Sequence, residues 1–228
     1  MHKEIRGRNL KRRIVDLLKS RDLNQGLNEL LRLPRQRVIG YLFPLTANSD
    51  EDIKWHAVTA MGVLTALLAE EDLERARIVV RRMMWNLNDE SGGIGWGAPE
   101  CMGEIMACHE GLADEFAHVL VSYIREDGNF LEYELLQRGV LWGLMRLAET
   151  RPELARSLDI SGHLVPYFQS SDAIVRGLAA RVAGLIEARE IYPALDPLRR
   201  DHTEIPLYLN RKRVTRCVSE LTEDALAS

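Results

Sequence analysis

The sequence predicts an all-α chain of stacked helix pairs, and three observations carry that reading. Apolar residues recur at spacings of three and four almost throughout the 228 residues, the period of a helix with one buried face. Runs that alternate apolar and polar residues between turn pairs, the mark of strands, are not evident. The third observation is self-similarity. RGVLWGLMRLAE at 138–149 aligns without gaps to RGLAARVAGLIE at 176–187; the same step of 38 residues back reaches ECMGEIMACHEG at 100–111, and a further 44 reaches HAVTAMGVLTAL at 56–67. Helix pairs repeating at about 40 residues bury their apolar faces only against neighbouring copies, which makes a solenoid.

The expected helices follow in order at 8–19, 22–32, 34–46, 50–69, 71–87, 99–109, 112–126, 131–149, 162–169, 172–187, 190–200 and 211–226. Each break is a stop or cap signal: Pro34, the stretch 48–50 ending in Asp50, the glycine-rich 88–97, Asp127-Gly128-Asn129, Arg151-Pro152, and Ser170-Ser171-Asp172. Pro34 and Pro99 suit the first turn of a helix, where a missing amide hydrogen leaves nothing unpaired. At this length folding hides roughly 70% of the unfolded chain's surface, so a core forms without a disulfide or a metal. Cys101, Cys108 and Cys217 are odd in number and lack ligand spacing, which points to reduced, mostly core thiols in a cytoplasmic protein. The N-terminus is charged where a signal peptide is apolar, and no window resembles a membrane span.

Charge is unevenly placed. Residues 1–49 carry +7, residues 50–160 carry −11 and residues 161–228 are neutral. An acidic centre repels phosphates, so nucleic acid is not the expected partner; basic peptides and small cations are.

The last copy, DAIVRGLAARVAGLIE at 172–187, resembles the second helix of a HEAT repeat, including the PBS-lyase type: an Asp cap, Val-Arg, an Ala-rich face, then Gly-Leu. The earlier copies depart from it, with His56 and Glu100 at the arginine position. The resemblance covers residues 50–190 and implies one right-handed α-solenoid domain over 1–228, with basic helices at 1–49 and capping helices at 190–228. It also implies that the second helices, at 50–69, 99–109, 131–149 and 172–187, line a concave binding surface.

The loop NDESGGIGWGAPE at 88–100 sits at one edge of that surface, and a glycine-rich connection of such length between repeats points to function. The candidate ligand-binding residues are Asp89, Glu90, Ser91, Trp96, Glu100, Glu104, Glu132, Arg138 and Trp142. Glu100 and Glu104 are four apart and share a helix face, and the 38-residue step places them beside Arg138 and Trp142. Glu100, Arg138 and Arg176 are then expected to form a ladder along the concave face. Gly139 and Gly143 make a smooth stripe against which another helix packs, so Gly139 tolerates no large side chain, and Trp96 is expected to settle in the groove they leave.

The function expected is a binding or scaffolding module that recognises a protein segment or a small cationic ligand on an acidic concave face. No catalytic residue, metal or cofactor is assigned: GGIGWG follows a helix and lacks a Gly-Lys-Ser ending, and the six histidines form no pair with metal spacing. The alternative is DNA repair. HEAT-like alkylpurine DNA glycosylases place a tryptophan four residues before a catalytic aspartate, a spacing that Trp85 and Asp89 share, with Arg138 or Trp142 in DNA-facing roles. A tetrapyrrole lyase or chaperone rests on the repeat resemblance alone.

Overall fold

In a computed structural model of the chain, which describes residues 7–20, 22–88 and 95–228, the helices stack as an α-solenoid. The basic N-terminal part forms α1 (Gly7–Leu18), α2 (Leu23–Leu31) and α3 (Arg35–Leu42), the last running into a 3-10 turn at Phe43–Leu45. Then come α4 (Glu51–Glu71), α5 (Leu73–Leu87), α6 (Ala98–Cys108), α7 (Glu110–Ser122) and α8 (Glu134–Thr150). The outer helix of the last pair is broken into α9 (Pro152–Ser157), α10 (Ser161–Leu164) and a 3-10 stretch at Val165–Gln169, and α11 (Ala173–Leu185) follows as its inner partner.

The inner helices α4, α6, α8 and α11 pack each on the next, as the repeat predicts. Local signals explain the starts of three of them, α4, α6 and α11. The carboxylates of Asp50 and Asp172 accept backbone hydrogen bonds at α4 and α11, and Pro99 lies in the first turn of α6. Gly97, at φ +76°, lies against the Thr46 carbonyl, so both the left-handed turn and the close approach exclude a side chain there. The helix α6 is the centre of the stack: Ala98 to Met106 are all buried, including the carboxylates of Glu100 and Glu104. It crosses α8 at Gly103 and Gly143, where a Cβ on Gly103 would come within 2.6 Å of the Gly143 carbonyl oxygen.

Two expectations fail at the C-terminus. Arg189–Arg200 is a 3-10 run, because Pro193 and Pro197 each remove a donor that an α-helix needs. The helix expected at 211–226 is in fact a hairpin strand followed by a shorter helix: β1 (Glu204–Leu209) pairs antiparallel with β2 (Lys212–Cys217), and α12 (Val218–Leu226) follows. Asn210 and Arg211 supply the two positive φ angles of the tight turn, and Ile205 and Leu207 point inward on alternate positions. Of the three free cysteines only Cys101 is buried, so the expectation of mostly core thiols does not hold. Among the described residues no helix is long and apolar enough to cross a membrane.

The hairpin matters because of where it lies. Ile205 fills the space left by Gly177 of α11, and Trp142 of α8 donates its indole N–H to the Tyr208 carbonyl at 2.8 Å. The Tyr208 hydroxyl meets Thr59 of α4 at 3.0 Å, Arg213 pairs with Asp52 at 2.6 Å, and Arg211 reaches Asn24 of α2 at 3.1 Å. The C-terminal hairpin therefore runs across the concave face from the last inner helix to the first.

Candidate functional site

Between the hairpin and the inner helices lies a cavity of about 540 Å³. That is within the size range of small-molecule sites. Its floor is aromatic. The rings of Trp55 and Tyr208 stack at 4.9 Å, Trp55 and Trp142 meet at 4.8 Å, and Tyr208 has its phenol pushed up to about 12 by burial. Its apolar sides come from Leu135 and Leu136 of α8, Ile174 and Leu178 of α11, and Pro206 and Leu207 of β1. Trp96 stands at the mouth, edge-on to the exposed ring of Tyr133 at 5.7 Å.

One carboxylate defines the polar end. Glu100 is only 6% exposed, its carboxyl seated where Gly139 has no side chain; a Cβ there would come within 2.5 Å of Oε2. Burial raises its pKa, and the ammonium of Lys54, 3.7 Å away, opposes that rise. Lys54 also lies 4.9 Å over the Trp55 ring and 4.0 Å from Glu51. The remaining charges are already paired. Arg138 is held by Asp172, the cap of α11, with its Nε 2.6 Å from the carboxylate, and Arg213 is held by Asp52.

The expected ladder is thus corrected. Glu100 does not meet Arg138, because Arg138 reaches forward to the capping aspartate of the next inner helix; Arg176 repeats the move one step on, to Asp201 at 2.6 Å. Glu100, standing at the arginine position of its own repeat, cannot do so and pairs backward with Lys54. The continuous ladder runs through other residues: Glu104 to Arg146 at 2.7 Å, Arg146 to Glu149 at 2.8 Å, and Glu149 to Arg181 at 2.7 Å. Glu104 therefore faces away from the cavity, toward a smaller one bordered by Trp142, Arg146 and Arg211.

The other candidates divide. Trp96, Glu100, Arg138 and Trp142 all border the cavity, although Trp142 is 2% exposed and serves chiefly as core. Glu132 is exposed and does not border it, because α8 begins two residues later and leaves its side chain on a surface turn. Asp89, Glu90 and Ser91 lie outside the described residues, as do positions 92–94 of the loop on which the site was centred. Trp96 packs on Tyr133 and not in the Gly139–Gly143 groove, which Glu100 and α6 occupy. The cavity wall is mixed in charge, with Glu51 and Glu100 against Lys54, Arg138 and Arg213, where an acidic face was expected. Trp85 is 74% exposed on the outer helix α5, away from the cavity, and its glycosylase-like partner Asp89 lies outside the described residues. Among the described residues no group of three or more His, Cys, Asp or Glu is placed to hold a metal ion.

Comparison with solved structures defines the class. The chain is similar to an engineered protein at 16% identity, with 96% of each chain covered and a TM-score of 0.53. It is similar to a designed armadillo repeat protein in complex with a (KR)4 peptide, at 16% identity over 94% of this chain and 97% of that one, with a TM-score of 0.53. A computationally designed armadillo repeat protein for modular peptide recognition gives 17% identity over the same shares and a TM-score of 0.51. The fold is that of an armadillo-like helical-repeat solenoid. No protein-family model and no curated protein sequence matches the chain.

Proposed function

We propose that this protein is a binding module whose cavity, between the inner helices and the hairpin, takes a cationic group borne by a protein segment or a small molecule. The observation that carries the reading is Glu100: a carboxylate 6% exposed, at the wall of a cavity with an aromatic floor and aliphatic sides, where Lys54 stands against it and Arg138 and Arg213 are held by other carboxylates. A carboxylate in such a place is costly unless a cation meets it, and aromatic faces beside it add attraction for the same charge. Trp96, Leu135 and Tyr133 at the mouth offer apolar contact to whatever carries the cation. The designed armadillo neighbour that holds a (KR)4 peptide makes a Lys/Arg octapeptide the natural first probe.

Titration calorimetry of that octapeptide and of n-hexylammonium tests the reading. Glu100→Gln keeps the shape and removes the charge, and it is expected to weaken binding at least tenfold, the order of a charged hydrogen bond lost in a partly buried site. Leu135→Trp, at an exposed position on the rim, is expected to block the mouth while leaving the melting temperature near that of the wild type. Equal affinity of wild type, Glu100→Gln and Leu135→Trp would place binding elsewhere.

A further inference from the structure

We infer that Lys54 is a tethered competitor for the ligand's cation, so that the site is matched to an ammonium or guanidinium on an apolar stem and Lys54 sets how tightly it binds. The inference rests on the cation-binding reading above and adds a role for one side chain. Lys54 is itself a cation on an apolar stem. Its stem begins on α4 beside Trp55, its ammonium lies 4.9 Å over that ring, and its charge stands 3.7 Å from Glu100. This arrangement is what a ligand's lysine, arginine or alkylamine would make in the same place.

Three features mark the contact as replaceable. The 3.7 Å separation is an ion pair and not a hydrogen bond, so a ligand donor that closes to about 2.8 Å gains on it. The side chain of Lys54 is 22% exposed and borders the cavity, so it has a way out. It also has somewhere to go, since Glu51, one turn earlier on α4 and half exposed, is already 4.0 Å from the ammonium. A displaced Lys54 keeps a partner while the ligand takes Glu100. The two arginines of the cavity differ on this point, being held by Asp172 and Asp52 through contacts of 2.6 Å.

The test is a sign. Lys54→Met keeps the length and apolar stem and removes the charge. If Lys54 occupies the cation position about nine-tenths of the time, the variant binds n-hexylammonium about tenfold more tightly than wild type, because the apparent affinity is reduced by the competent fraction. Lys54→Arg, which restores a competitor, stays near wild type. Hexanoate, with the same stem and opposite charge, gains nothing in Lys54→Met. Weaker or unchanged hexylammonium binding in Lys54→Met, with Glu100→Gln still abolishing it, overturns the competitor role and leaves the binding reading standing. Hexanoate bound by wild type and lost in Lys54→Met would make Lys54 an anion-binding residue, which also overturns it. Melting curves of each variant separate lost folding from lost binding.

Discussion

Gly103→Val should be the most damaging single substitution in the stack, lowering the melting temperature by about 10 °C or preventing folding. The Cβ it introduces overlaps backbone and not a movable side chain, within 2.6 Å of the Gly143 carbonyl oxygen. Because α6 and α8 carry the core on both sides of that crossing, separating them loosens contacts well beyond it. Overpacking costs about 1–3 kcal/mol where side chains can shift and more where they cannot; for a chain of this size each kcal/mol is worth about 2–4 °C. Circular dichroism melting of Gly103→Val beside Gly103→Ala checks it. A valine variant that melts within 2 °C or so of the wild type would show that the helices are not in backbone contact.

Tyr208→Ala should be nearly as costly, at about 3–4 kcal/mol, and informative about the hairpin. The ring stacks on Trp55 at 4.9 Å with only 3% of the residue exposed, so its removal opens space under the strand. Tyr208→Phe should cost about 1 kcal/mol or less, since Thr59 also donates to the Trp55 carbonyl at 3.0 Å and is not left unpaired. Urea denaturation of both variants separates ring packing from the hydroxyl. A hairpin that only drapes over the surface would give small, similar losses for the two.

The helices were legible in the sequence because each carries its own signals. Asp50 and Asp172 are N-caps, and the copies at 100–111, 138–149 and 176–187 repeat in step. The hairpin was missed for a physical reason. Its turn is Asn210-Arg211, with no glycine to announce two positive φ angles, and β2 carries Lys212, Arg213 and Arg216 on an exposed strand that looks equally like a polar helix face. EIPLYL does alternate at Ile205 and Leu207, and the proline at 206 is permitted on an edge strand; that was the available signal.

The site was legible in part. Glu100 stood out as a carboxylate where the two later copies have arginine, and the structure makes it the buried carboxylate of the cavity. Its partner was not foreseeable from the 38-residue step, because a negative residue at that position turns backward to Lys54 while arginine turns forward to the next cap. Lys54, Arg213 and Tyr208 were missed as well. Lys54 sits on the inner helix α4, one helix away from Glu100, whereas Tyr208 and Arg213 reach the cavity on a hairpin returning from the C-terminus, and no local pattern carries that information.

The four tryptophans test the central claim most directly, because Trp55, Trp96 and Trp142 border the cavity and Trp85 does not. Trp55 and Trp96 border the cavity, Trp142 lies beneath it with its indole N–H on Tyr208, and Trp85 stands exposed on the outer helix. In a proton–nitrogen spectrum of the indole groups, titration with n-hexylammonium should move the Trp55 and Trp96 resonances, shift Trp142 less, and leave Trp85 in place. Movement of Trp85 alone, or four unmoved resonances at saturating probe, would contradict a cation site between the hairpin and the inner helices.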